Sequence, residues 1–191
     1  MNLATRMYHR LADEPWLALL RAGAIERDYH RQLEHTYGFE APLEAALAYT
    51  PHLRELIDLR ERSRAGLLAT DLISLGLTPK GVATIPQCTI APFADATEGL
   101  GWLYVAERAT LLHDSIGWQL AARFPAAAGA CTYLSMYHGV ARARWSALGE
   151  VLDEHASADA DAMGRLEEAA RAGFRALIGW HQPDRSYAAG A

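Results

Sequence analysis

The chain is poor in the residues that staple, thread or charge a fold. It has two cysteines, Cys88 and Cys131, and no Cys-x-x-Cys pair, so a cysteine-bound zinc site and a disulfide framework are both excluded as the basis of its stability. Lysine occurs once, at Lys80, so nearly every cation is an arginine. The net charge is −5, the wrong sign for a phosphate-binding or anionic-lipid-binding surface, and no nucleic-acid or membrane partner is expected. No run of about 18 apolar residues occurs, so no membrane-spanning helix is expected. The first thirteen residues carry Arg6 and Arg10 and no apolar core segment, unlike a secretion signal, and a cytoplasmic protein is expected. There is no Walker loop, no Gly-x-Gly-x-x-Gly and no Gly-x-Ser-x-Gly, which removes the common nucleotide and hydrolase readings. Neither alternation of strand type nor an internal repeat is present.

What remains is helical. At 191 residues and 51% hydrophobic content the chain is long enough to bury one full core without metal or disulfide support. Leu3, Met7 and Leu11 step by four, predicting a first helix that Pro15 ends, with a second short helix over 16–21 closed by Gly23. Ile25, Tyr29, Leu33 and Tyr37 step by four again, and Gly38 and Pro42 should kink or interrupt that helix before Leu43 and Leu47. Pro51 permits a new start, with Leu53, Leu56, Ile57 and Leu59 continuing apolar. A helix is predicted over 60–75, with Leu67, Leu68, Asp71, Leu72 and Leu75 on one side and Gly76 after it. Pro79, Gly81, Pro86, Pro92 and Gly99 mark 77–99 as the one long non-helical connection. Helices are predicted again over 100–123, 132–155 and 158–180, the last with an acidic start at Asp159 and Asp161. The expected fold is an all-α, single-domain multi-helix bundle over 1–182, with 183–191 a frayed tail. Bundles place ligand sites between facing helices.

Eight histidines are the first candidates for chemistry. His52, His155 and His181 read as ordinary solvated side chains, and His30 with Glu34 as a surface pair. His9 differs in its neighbours: Thr5, His9 and Asp13 stand one above another at i−4, i and i+4, where the carboxylate could orient the ring.

The flanks of His9 carry a resemblance. Ala4-Thr5-Arg6-Met7-Tyr8-His9-Arg10-Leu11-Ala12-Asp13 resembles the first-helix signature of the heme oxygenases, most nearly the bacterial, biliverdin-producing branch. The likeness runs on through Tyr29, the stretch from Tyr37-Gly38-Phe39-Glu40 to Pro42-Leu43-Glu44, Asp71-Leu72-Ile73-Ser74-Leu75-Gly76, and the stretch Gly99-Leu100-Gly101-Trp102 to Val105-Ala106-Glu107. It returns at Tyr137-His138-Gly139 with Trp145, and from Ala169-Ala170 through Phe174 to Trp180. The resemblance implies a bundle of heme oxygenase type in which heme lies between a proximal and a distal helix. It implies His9 as the iron ligand and metal site, with Tyr137, His138 and Leu112 near the heme. Arg142 matches the position where the family places a cation for a heme propionate, a task its planar fork suits. The implied reaction is oxidative opening of heme to biliverdin, iron and carbon monoxide. Heme is then both substrate and cofactor, O2 is the co-substrate, and electrons come from a ferredoxin or reductase partner, since no flavin or nicotinamide motif is present.

One stretch departs from the family. Where its distal helix reads roughly Gly-Ser-Thr-Leu-Gly-Gly, this chain reads Arg108-Ala109-Thr110-Leu111-Leu112-His113. The three glycines that let a backbone approach a flat ligand are gone, and Ala109 cannot organise a distal water network. Three outcomes stand open. The helix sits back and His113 supplies the distal polar group, with Glu107, Arg108 or Asp114 assisting. Or His113 ligates iron opposite His9, giving a heme-binding or regulatory protein that does not cleave heme. Or Leu112, His113 and their neighbours fill the pocket, leaving a catalytically inactive interaction module. Ala109 and His113, at i and i+4, share a face in each case. A di-metal oxidase on the same scaffold is a fourth, remoter reading, resting on His9 with Asp13 and His30 with Glu34.

Overall fold

A computed structural model describes residues 1–182, with the backbone alone at 126 and 127. The predicted tail at 183–191 lies outside the described residues. Eleven α-helices follow one another among the described residues: α1 (Asn2–Ala18), α2 (Glu26–Ala48), α3 (Leu53–Leu56), α4 (Ala65–Ser74), α5 (Pro79–Ala83), α6 (Ala96–Ala109), α7 (His113–Arg123), α8 (Pro125–Ala128), α9 (Thr132–Ser135), α10 (Ala141–Ala158) and α11 (Ala162–His181). Two 3-10 turns, Arg60–Arg62 and Thr110–Leu112, interrupt them, and no strand occurs among the described residues.

The all-α expectation holds, and several boundaries move for physical reasons. Neither Pro15 nor Pro42 breaks its helix. A proline inside a helix strands the carbonyl four residues back. For Pro42 that carbonyl belongs to Gly38, and the N–H of Cys88 donates to it at 2.8 Å. The non-helical segment after α5 thus supplies the bond that α2 lacks. Gly38 also has to be glycine: a Cβ there would stand 2.7 Å from the Trp180 ring. The segment 77–99 is not wholly irregular, because Thr78 caps α5 by accepting from the Gly81 N–H at 3.0 Å. The helix predicted over 60–75 begins only at Ala65, where Glu44 of α2 accepts from the backbone N–H groups of Arg64 and Ala65. The helix predicted over 132–155 splits at Gly139, whose φ of 72° ends α9 and its following turn before α10. Asp71, fully buried, caps α9 from α4, accepting from the Thr132 and Tyr133 N–H groups at 2.8 and 2.9 Å.

The apolar stripe that announces α1 points outward. Leu3, Met7 and Leu11 are 84%, 75% and 50% exposed. The face turned inward carries Thr5 and Trp16, both buried, with Tyr8 stacked on Phe174 of α11 at 5.8 Å between centroids.

Two apolar cores meet inside the bundle. One joins Phe39, Leu43 and Leu47 of α2 to Leu100, Leu103 and Val105 of α6, Leu148 and Leu152 of α10, and Leu166, Ala170 and Phe174 of α11. The other joins Trp16 of α1 to Tyr29 and Leu33 of α2, Leu68 and Leu72 of α4, Ile116 and Leu120 of α7, and Tyr133 and Leu134 of α9. Helices α6 and α11 make the most extensive contact. They cross closely at Gly101, where a Cβ would stand 2.5 Å from that of Ala169.

Candidate functional site

His9 lies on the inward side of α1, facing α6 and α11. Its Nε2 is 3.2 Å from Thr5 Oγ1, which is in turn 3.3 Å from the Tyr104 hydroxyl of α6. Its ring packs on Phe174 at 5.5 Å. Burial lowers the pKa of His9, helped by Arg108 and opposed by Asp13, so the ring is neutral at pH 7. Neutral imidazole is the form that ligates a metal.

Asp13 does not orient that ring through a hydrogen bond. Its two carboxylate oxygens are both taken by Arg108 of α6: Nη1 donates to Oδ1, and Nη2 to Oδ2 at 2.8 Å. The side chains of Arg108 and Asp13 keep only 15% and 12% of their exposure, so this fork-to-carboxylate pair is largely shielded from water. Helices α1 and α6 are therefore joined across one seam by two polar ties, Thr5 with Tyr104 and Asp13 with Arg108, with His9 between them along α1.

Below the second tie lies a small cavity at the junction of the two cores. Its lining includes Asp13 and Trp16 of α1, Glu40 of α2, Arg108 and Ala109 of α6, Leu112, Tyr133 and Phe174. Its volume is about 30 Å³, the space of one water molecule. Pockets that hold a ligand of heme's size measure several hundred Å³, about 300–1,000. Phe174 gives this cavity a flat apolar wall, but His9 is not among its lining residues, and the His9 Nε2 faces Thr5. Neither the donors around this cavity nor its space suits heme in this structure.

Among the other residues singled out in the sequence, Ala109 and Leu112 do line this cavity. His113 begins α7 directly after the 3-10 turn, buried to 3% exposure between Trp16 (6.4 Å) and Tyr133 (4.6 Å). Neither ring nitrogen has a hydrogen-bond partner in the structure. Burial, with Arg64 nearby, pushes its pKa down to about 3. Trp16 lies seven residues beyond His9, roughly 10 Å further along the helix axis. The structure therefore does not bring His113 and His9 to a common ligand position. Tyr137 is buried and donates to Glu107 at 3.1 Å, while His138 is exposed and paired with Asp114 at 3.0 Å. Arg142 is exposed, with no carboxylate partner among the described residues; the inward arginine of α10 is Arg144, over the Tyr137 ring at 4.9 Å and paired with Glu61. His30 pairs with Glu26 rather than Glu34. His181, expected in solvent, instead stacks on His35 at 5.9 Å, and burial brings its pKa to about 4. No cluster of three or more metal-type ligands exists among the described residues, which removes the support for the di-metal reading.

A buried ionic cluster went unseen in the sequence. Glu107 of α6 pairs with Arg62 at 2.6 Å and Arg64 at 3.1 Å, and Arg64 reaches Glu40 of α2 at 3.1 Å. Burial raises the pKa of Glu40 against the pull of Arg64. Its Oε2 lies within ion-pair distance of Arg64 without an aligned hydrogen bond, and Glu40 lines the cavity. Glu40 and Glu44 share a helix face in the sequence, but nothing in its periodicity brings Arg62 and Arg64 to them.

The chain matches no known protein family, no curated protein and no solved structure.

Proposed function

We propose that this chain is a heme-oxygenase-like protein that takes heme at His9 and opens it to biliverdin, iron and carbon monoxide, using O2 and electrons from a ferredoxin or reductase. The observation that carries this reading is the setting of His9. It is a neutral imidazole on the first helix, turned toward α6 and supported by Phe174, with its position held through Thr5 and Tyr104. The place where α6 gives way to a 3-10 turn at Thr110–Leu112 adds support. In the heme oxygenases the glycines of this stretch let the helix lie close to a flat ligand; in this chain a 3-10 turn without glycine stands in their place. Heme entry requires the Asp13–Arg108 tie to part.

The closed seam favours a second reading, a bundle of this type that binds no heme and serves as an interaction module. Hemin titration followed by aerobic reduction separates the two. The first reading expects one-to-one binding with a Soret band that His9→Ala alters, then bleaching and a bilin absorbance once a competent reductase is added. Absence of saturable hemin binding selects the second. Hemin that binds and survives many turnover times retains the site and removes the cleavage.

A further inference from the structure

We propose that the outward face of α1 is a homodimer interface, and that what covers it is the outward face of α10 in a second copy of this chain. Leu3, Met7 and Leu11 stand on successive turns of α1, and each is exposed. Single exposed apolar residues are ordinary, but a row of them on one helix face marks an interaction surface. Arg6 and Arg10 flank the row, both exposed and with no carboxylate partner among the described residues.

The complement lies on the same side of the molecule. Helices α1 and α10 both meet Tyr104 of α6: Thr5 Oγ1 is 3.3 Å from its hydroxyl, and the Trp145 ring is 5.0 Å from its ring. Met1 and Asn2, at the start of α1, line one groove with Leu148, Gly149 and Asp153 of α10. The two helices are therefore neighbours over α6. The face that α10 turns away from the core carries Glu150 and Glu154, exposed and with no cation partner among the described residues. Ala143, Ser146 and Ala147 are exposed beside them, and such small side chains let another helix come close. The two carboxylates stand one helical turn apart, and so do the two arginines, so both charge pairs can form in one register. An antiparallel pairing of α1 with its own copy lacks this match, because a two-fold axis there sets the arginine flank against itself. A two-fold axis running between α1 and α10 instead lays α1 of each copy on α10 of the other. The contact is then made twice and closes, and the apolar row leaves water. Neither face includes His9, so the inference is independent of the heme reading.

Sedimentation velocity on the full chain over a series of concentrations tests it. A reversible monomer–dimer equilibrium is expected, weakening as salt is raised. Met7→Lys should weaken the dimer at least about tenfold, because two methionine side chains per dimer lose their burial. Leu3→Lys, at a second exposed position, should act in the same direction. Arg6→Glu with Arg10→Glu should also weaken the dimer, and adding Glu150→Arg with Glu154→Arg in the same chain should restore it. A monomer at every concentration overturns the proposal, as does a dimer that Met7→Lys and Leu3→Lys leave intact. Charge reversal without rescue, or assemblies that grow past the dimer, overturns the two-fold pairing of α1 with α10. A monomer that binds phosphatidylglycerol vesicles, and loses them in Met7→Lys, overturns it in favour of a membrane surface.

Discussion

His9 and His113 are both held neutral by burial, yet their surroundings give them different chemistry. His9 has a hydroxyl neighbour, lies beside a polar seam and keeps partial exposure. His113 has aromatic neighbours and no hydrogen-bond partner at either nitrogen. His113 therefore makes a pH prediction. With its pKa near 3 in the folded chain and 6.5 as the ordinary value, the unfolded chain binds the extra proton between those limits. Stability is then present above about pH 6.5 and falls as the pH is lowered, by up to about 1.4 kcal/mol per unit. Denaturant unfolding between pH 5 and 6.5 should show this slope, and His113→Leu should lower it by that share, leaving the part that the buried His181 contributes. An unchanged slope in His113→Leu would mean that the folded ring is protonated after all. At the same scale, the sequence showed correctly that Thr5, His9 and Asp13 share a face. It could not show that Asp13 is claimed by a cation 95 residues away, because an ion pair across helices leaves no trace in local spacing.

At the scale of elements, periodicity reported helices reliably and their faces less so. The Leu3, Met7 and Leu11 series and the Thr5, His9 and Asp13 series have the same period on opposite sides of α1, so period alone cannot say which side is buried. Hydrophobicity favours the leucine side, yet the polar side is the inner one, because Thr5 and Asp13 find partners on α6. Proline follows the same logic. Pro42 breaks a helix only if the carbonyl it strands stays unpaired, and Cys88, from a segment far along the chain, pairs it. The crossing of α6 and α11 makes the sharpest prediction here. A Cβ at Gly101 would stand 2.8 Å from the Leu166 carbonyl oxygen as well as 2.5 Å from the Ala169 Cβ, so the two backbones must separate. Gly101→Ala should destabilise by at least about 1–3 kcal/mol, the cost of overpacking a core. Chemical denaturation measures it, and Gly149→Ala, where a Cβ meets nothing within 4 Å, is the control.

At the scale of the whole molecule, the ionic cluster around Glu107 ties α2, the 60–64 segment, α6 and the turn after α9 into one body. Glu107 accepts from Arg62, Arg64 and Tyr137, and burial with this carboxylate beside it brings the Tyr137 hydroxyl to a pKa of about 12. Removing one partner of a buried ion pair leaves the rest uncompensated, a loss of about 3–5 kcal/mol. Glu107→Ala should cost that much in unfolding free energy. A loss below about 1 kcal/mol, the range of surface pairs, would mean that water reaches the cluster. The same cluster borders the cavity through Glu40, so the ties that hold the bundle together and the seam that would admit a ligand share a wall.

The sequence by itself determined that the chain is all-α, because helical period, capping residues and punctuation by glycine and proline are local properties. It also showed no run of about 18 apolar residues, and no helix among the described residues is long and apolar enough to cross a membrane. It placed His9 on the first helix and picked out 108–113 as a stretch without the glycines that let a backbone approach a flat ligand. Only the tertiary structure decided that the polar face of α1 turns inward, that Arg108 joins Asp13 across the seam, and that His113 is locked in apolar surroundings away from His9. Each of those outcomes depends on which distant group arrives as a partner, and long-range charge pairing and burial are set by packing rather than by spacing along the chain.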